Sequence, residues 1–186
     1  MAIRNRLIAW CPNALAPYHL APGSPRPDGD LRLPTPRILV DADACPVKDE
    51  VYDVAYRRGV PVTIVANSWF RVPQHPLISR VVVDGGFDAA DDWIAEQADA
   101  ACVVVTTDIL LADRCLKAGA SVLGPTGRAF TTASIGAAVA TRAIMADLRA
   151  GAGGDRLGGP APFAKTDRSR FLSALDEVLV RLERAA

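Results

Sequence analysis

The sequence predicts an α/β protein of three layers, with helices on both sides of a mostly parallel central sheet, and three observations carry that expectation. Short apolar runs at 38–40, 60–66, 81–83 and 102–107 alternate with stretches in which apolar residues recur at helical spacing. The runs lack the in/out alternation of a half-solvated strand, as expected of strands covered on both faces. Acidic residues gather where the runs end, at Asp41 and Asp43 after the first, at Asp88, Asp91 and Asp92 after the third, and at Asp108 after the fourth. In a parallel sheet those ends share one edge, where open α/β sheets hold their ligands.

The elements follow in order. Residues 1–36 carry seven of the 14 prolines and no sustained periodicity, and are expected to be a disordered extension ahead of an α/β domain at 37–150. After the first strand, Pro46 suits a first helical turn, and Val47, Val51, Val54 and Ala55 form a stripe that Gly59 ends. Residues 60–66 make the second strand and 67–79 a loop; 80–84 make the third strand, which turns at Gly85-Gly86. Asp88 is placed to cap a helix to about Ala98, with Ala89, Trp93 and Ile94 on one side. A fourth strand covers 101–106, Asp108 can cap the next helix, and its stripe of Leu111, Cys115 and Ala118 runs up to Gly119. Then come a short strand at 121–123, a turn-rich loop at 124–128, and an alanine-rich helix from Thr131 or Thr132 to about Arg149. Residues 151–186 comprise a Gly-rich linker to 162 and a last helix capped by Asp167, whose apolar side (Phe171, Leu172, Leu175, Val178, Leu179, Leu182) packs on the sheet or on another subunit.

Charge and composition exclude several classes. The whole chain is balanced, with 21 Lys and Arg against 21 Asp and Glu, but residues 37–150 hold 11 basic and 14 acidic residues, a net of −3. That is too acidic for coating nucleic acid by bulk electrostatics, so contact with it would need a local basic patch or a bound cation. No apolar run approaches the ~20 residues of a membrane span. Pro12 and Asn13 cut the run after Arg4 and Arg6 below the ~7 residues of a signal-peptide core, and Cys11, Cys45, Cys102 and Cys115 form no close pair. A reducing cytoplasm is the expected location.

The acids carry the chemistry. Two unit charges ~4 Å apart repel by ~4 kcal/mol at an effective dielectric of ~20, so several carboxylates gathered together need a counter-charge. A set of oxygen ligands without His or Cys favours Mg²⁺ or Mn²⁺ over zinc, and such an ion can activate water toward phosphorus. Metal-assisted phosphodiester hydrolysis is the implied reaction, with Asp41, Asp43 and Asp108 as catalytic residues and Asp41, Asp43, Asp88, Asp92 and Asp108 as metal ligands. Asp88 is balanced between cap and ligand, whereas Asp91, Asp49, Glu50 and Asp53 read as solvated or structural charges. Lys48, Arg71 and Arg128 are candidates to hold phosphate oxygens, and Asn67 to orient a ligand. Cys45 reads as a packed thiol, His75 being the one plausible base for it and His19 lying in the extension. Trp69 and Phe70 can stack on a base, although burying their loop is the commoner use.

The strings Asp41-Ala-Asp-Ala-Cys-Pro-Val-Lys48, Ala66-Asn67, Gly86-Phe-Asp-Ala-Ala-Asp-Asp-Trp-Ile94, Thr106-Thr-Asp108, Gly127-Arg128, Gly158-Gly159-Pro160 and Asp167-Arg168 resemble the YaiI/YqxD family of uncharacterised bacterial proteins, over roughly 37–180. Leu110 stands where relatives tend to have Pro, and 1–36 lies outside the pattern. The family is grouped with PIN-like domains, metal-dependent nucleases of α/β/α architecture. The resemblance implies metal ligands at Asp41, at Asp92 with Asp88 nearby, and at Asp108, and a nucleic-acid substrate, RNA ahead of DNA. Two other readings stay open. One is a haloacid-dehalogenase-like phosphatase with Asp41 as nucleophile, against which Cys45 stands where Thr is usual; the other is a non-catalytic RNA- or protein-binding module, with a homo-oligomer compatible with any of the three.

Overall fold

Among the described residues, six strands in the order β3-β2-β1-β4-β5-β6 form one sheet, parallel throughout except that β6 runs against β5. The structure is a computed structural model that describes residues 35–42, 45–83, 86, 88–137, 139–141 and 163–185, all within one compact unit, Leu33–Ala186. The expected extension at 1–36 lies outside the described residues except for its last two, and the linker at 151–162, Asp43 and the end of the alanine-rich helix lie outside them entirely.

The strands are β1 (Arg37–Asp41), β2 (Val62–Ala66), β3 (Ile78–Val82), β4 (Cys102–Val105), β5 (Ser121–Leu123) and β6 (Ala129–Phe130). The helices are α1 (Lys48–Arg58), α2 (Ala89–Gln97), α3 (Ile109–Lys117), α4 (described at 132–137 and 139–141) and α5 (Lys165–Ala185). Strand parity sorts the core into two layers. Ile38, Val40, Ile64, Val103 and Val105 pack under α1 and α5, and Leu39, Val65, Cys102, Val104 and Val122 pack under α2 and α3. The three-layer α/β/α sandwich is thus the one the sequence predicts. Fully burying a Val, Ile or Leu contributes about 1.5–3 kcal/mol, and β1 and β4 bury such residues on both faces, so they anchor the sheet.

The C-terminal helix packs on its own domain, with Phe171, Leu175, Val178 and Leu179 buried in the α1 layer. It begins at Lys165, two residues before the expected cap, because Asp167 works from inside the first turn. Its carboxylate accepts the Ala164 N–H at 2.9 Å, the reach-back half of a capping box. Pro46 lies just outside α1 rather than within its first turn. β3 starts at Ile78, ahead of the expected 80, since Ile78 itself packs into the core and bridges His75. The loop at 124–128 leads into a two-residue strand the sequence reading missed. Gly127, at φ +79°, makes this hairpin possible and lets the Arg170 backbone of α5 come so close that a Cβ would sit 2.6 Å from its carbonyl carbon. No described helix is long and apolar enough to cross a membrane.

Candidate functional site

The side of the sheet facing α2 and α3 carries the acidic edge. Asp41 shares the parity of Leu39, and Thr106 that of Cys102 and Val104, so both side chains leave the strand ends toward those two helices. Asp41 is 6% exposed and Thr106 1%. The Thr106 hydroxyl donates to Asp41 Oδ2 at 2.9 Å and accepts the Asp108 N–H at 3.0 Å. One hydroxyl therefore ties the end of β1 to the turn that starts α3. Asp108 caps α3, its Oδ1 accepting the N–H groups of Leu110 at 2.6 Å and Leu111 at 3.2 Å.

The third contributor is α2. Partial burial, then the negative charges of Asp41, Asp108 and Asp88, push the Asp91 carboxyl up to about 6 from its ordinary 3.8, with Arg114 offsetting part of the rise. Four carboxylates from three segments thus act on one another. Among the described residues, no three His, Cys, Asp or Glu side chains stand close enough together to hold an ion as they are oriented.

Within α2 the structure treats the two members of an adjacent acidic pair differently. Asp92, assigned as a ligand, is exposed and ion-paired at 2.8 Å with Arg114. Asp91, assigned as a surface charge, feels the other acids. The reason is helix phase: of the expected Ala89, Trp93 and Ile94, Ile94 is buried and Trp93 packs partly against the core, but Ala90 replaces Ala89 on the buried side, and Asp91 lies three residues before Ile94 on that flank. Thr106 was also missed as a site residue, although its parity with Val104 puts a hydroxyl at the same strand edge as Asp41.

The remaining candidates scatter. Asn67 Oδ1 accepts the Ala90 N–H at 3.2 Å, doing for α2 what Asp88 does not, since Asp88 stands at the N-cap without a capping side-chain bond. Lys48 sits over the Phe70 ring at 5.6 Å, on the α1 side of the sheet. Arg71 is exposed beside Trp69 and Arg80, while Arg128 lines a hollow with Arg170 and Ser173 of α5. Burial raises the Cys45 thiol to about 11, which leaves it protonated and unreactive at neutral pH.

A family model described as "Uncharacterized BCR, YaiI/YqxD family" matches residues 39–181. A UPF0178 protein of Sphingopyxis alaskensis is 68% identical over 152 residues, covering 82% of this chain and 98% of that protein. Others from Bradyrhizobium diazoefficiens and Jannaschia sp. are 59% and 58% identical, covering 80% and 78% of this chain and 87% and 94% of theirs. No solved structure matches. The matched region takes in α1, α2, α3 and both strand ends that Thr106 joins, and the chain belongs to the YaiI/YqxD family.

Proposed function

We propose that this protein is a Mg²⁺- or Mn²⁺-dependent nuclease that hydrolyses phosphodiester bonds, with RNA as substrate, at the carboxyl edge of the sheet. The observation that carries the reading is the Thr106 hydroxyl joining Asp41 to the turn of Asp108, beside an Asp91 carboxyl that partial burial and the charges of three other aspartates raise to about 6. A fold gains no stability from stacking like charges at one edge, so the arrangement asks for a cation. The donors are carboxylates with no thiolate or imidazole among them, which fits a hard divalent ion.

Asp41, Asp91 and Asp108 would hold that ion only after their side chains turn toward one another, and Asp43 follows Asp41 in sequence. Bound there, it would stabilise charge building up on a phosphate and acidify a water. The chain's own groups do the rest. Thr106 fixes the direction of the Asp41 carboxylate and, through the Asp108 N–H, the position of the cap. Asp91, raised to about 6 by burial and by its neighbours' charges, is the acid whose ionisation a bound cation would favour most.

Titration of the purified protein with Mn²⁺, followed calorimetrically, tests the reading. Asp41→Asn and Asp108→Asn should each weaken binding by about tenfold or more and lower RNA cleavage by about a hundredfold or more. Mn²⁺ affinity unchanged in both variants would reject it.

A further inference from the structure

We propose that the cleft formed by Trp69, Arg71, Val72, Gln74 and Arg80 binds single-stranded nucleic acid by stacking an unpaired base on Trp69 and holding its phosphates on the two arginines. The inference deepens the nuclease reading and takes its ligand class from it.

Trp69 is 68% exposed, the most exposed large apolar side chain among the described residues, whereas its neighbours Phe70 and Val72 pack against the core. The loop is therefore anchored without Trp69. The Arg80 guanidinium lies 4.9 Å from the centre of the indole ring, and Arg80 also donates to the Phe70 carbonyl, so a cation sits against an indole that stays largely in solvent.

The surrounding charge favours a polyanion. Residues 59–83 contain no acidic residue and two arginines, Arg71 and Arg80, both in the cleft. Among the described residues neither Arg71 nor Arg80 is ion-paired. Gln74 adds a donor and an acceptor that can read a base edge. The cleft, of about 730 Å³, lies within the volume range of ligand sites.

Position connects it with the acidic edge. The loop leaves the sheet at the carboxyl end of β2, and Asn67, two residues before Trp69, is bonded to the first turn of α2, which carries Asp91. β1 and β3 stand two strand spacings apart, ~10 Å, and Arg80, with the parity of Ile78, leaves β3 on the α1 face, opposite the face that carries Asp41. A strand held on Trp69 would reach Asp41 by crossing the carboxyl edge of the sheet, whereas a duplex keeps its bases stacked inside and offers the indole nothing.

Binding of fluorescently labelled oligoadenylate, as RNA, to the full chain in EDTA tests this without requiring metal or turnover. Trp69→Ala should weaken binding about tenfold, with Trp69→Phe retaining part of it, and Arg80→Gln should weaken it while lowering the slope of log affinity against log salt by about one. A blunt RNA duplex of equal length should bind more weakly. Unchanged affinity in Trp69→Ala and Arg80→Gln, equal affinity for the duplex, or no binding of either probe overturns the inference. Trp69-dependent binding by a chain that takes up no Mn²⁺ keeps this inference and removes the nuclease reading; Asp41-dependent Mn²⁺ binding with indifference to Trp69→Ala does the reverse.

Discussion

Two groups of carboxylates lie on opposite sides of the same sheet, and they are treated in opposite ways. Between α1 and α5, Asp176 receives Arg58 through both carboxylate oxygens, at 2.7 Å each, and Arg57 at 2.7 Å, with Glu183 adding a 3.2 Å contact to Arg58. Hydrogen bonds from Arg58 lead in holding the Asp176 carboxyl down at about 2. On the α2–α3 side, Asp91 is pushed up to about 6 with Arg114 as partial relief. The first group is a brace, complete within the fold, and its charges cancel. The second is a net negative charge that the protein keeps although folding does not reward it, a pattern expected where binding compensates for lost stability.

Three substitutions sharpen that contrast, from the largest expected effect on stability to the smallest. Thr106→Val keeps the shape of the side chain but removes the hydroxyl that serves both Asp41 and the Asp108 N–H. It should cost about 2 kcal/mol in urea unfolding, since both groups lose a partner in a buried setting. A cost indistinguishable from zero would mean that the acidic edge needs no internal support.

Asp176→Asn should cost about 1 kcal/mol near neutral pH, a figure reduced because the brace is partly exposed. A depressed native pKa means stability that is present above the unfolded value near 3.8 and lost as pH falls toward about 2. The difference between wild type and variant should therefore disappear over that window, and a difference that persists at pH 2 would contradict the brace.

Asp91→Asn should act in the other direction, adding about 1 kcal/mol or less above pH 6. With a native pKa above the unfolded one, the wild type binds more protons folded than unfolded between about 4 and 6, so its stability falls as pH rises through that window. The gain should vanish below pH 4, where both forms are neutral. Thermal unfolding across that range checks the sign, and a destabilised variant at pH 7 would mean that Asp91 is a structural partner after all.

How much of this was legible before the fold was known follows from the period of each element. Side chains alternate strictly along a strand, so Asp41, two residues after Leu39, and Asp108, beyond the 102–107 run, could be read from sequence to one edge. On α2 the same logic fails, because successive residues differ by about 100° and two weakly apolar stripes compete. Whether Ala89 or Ala90 joins Ile94 on the inward side decides how Asp91 and Asp92 are turned relative to the strand ends. Trp69 posed a related difficulty: in a loop with two aromatics in succession, nothing local says which one anchors the chain and which stays in solvent.

The sequence alone determined the layered α/β architecture, the order in which strands and helices alternate and the acidic character of one sheet edge, because hydrophobic periodicity and the acids that interrupt it are local properties. Only the tertiary structure decided that Thr106 links two strand ends, that Asp92 pairs with Arg114, that Asn67 caps a helix distant in sequence, and that Trp69 stands open beside Arg80. Each of those depends on the rotation of one packed element against another, which is set by the fit of side chains across the core and leaves no signature in any single stretch of chain.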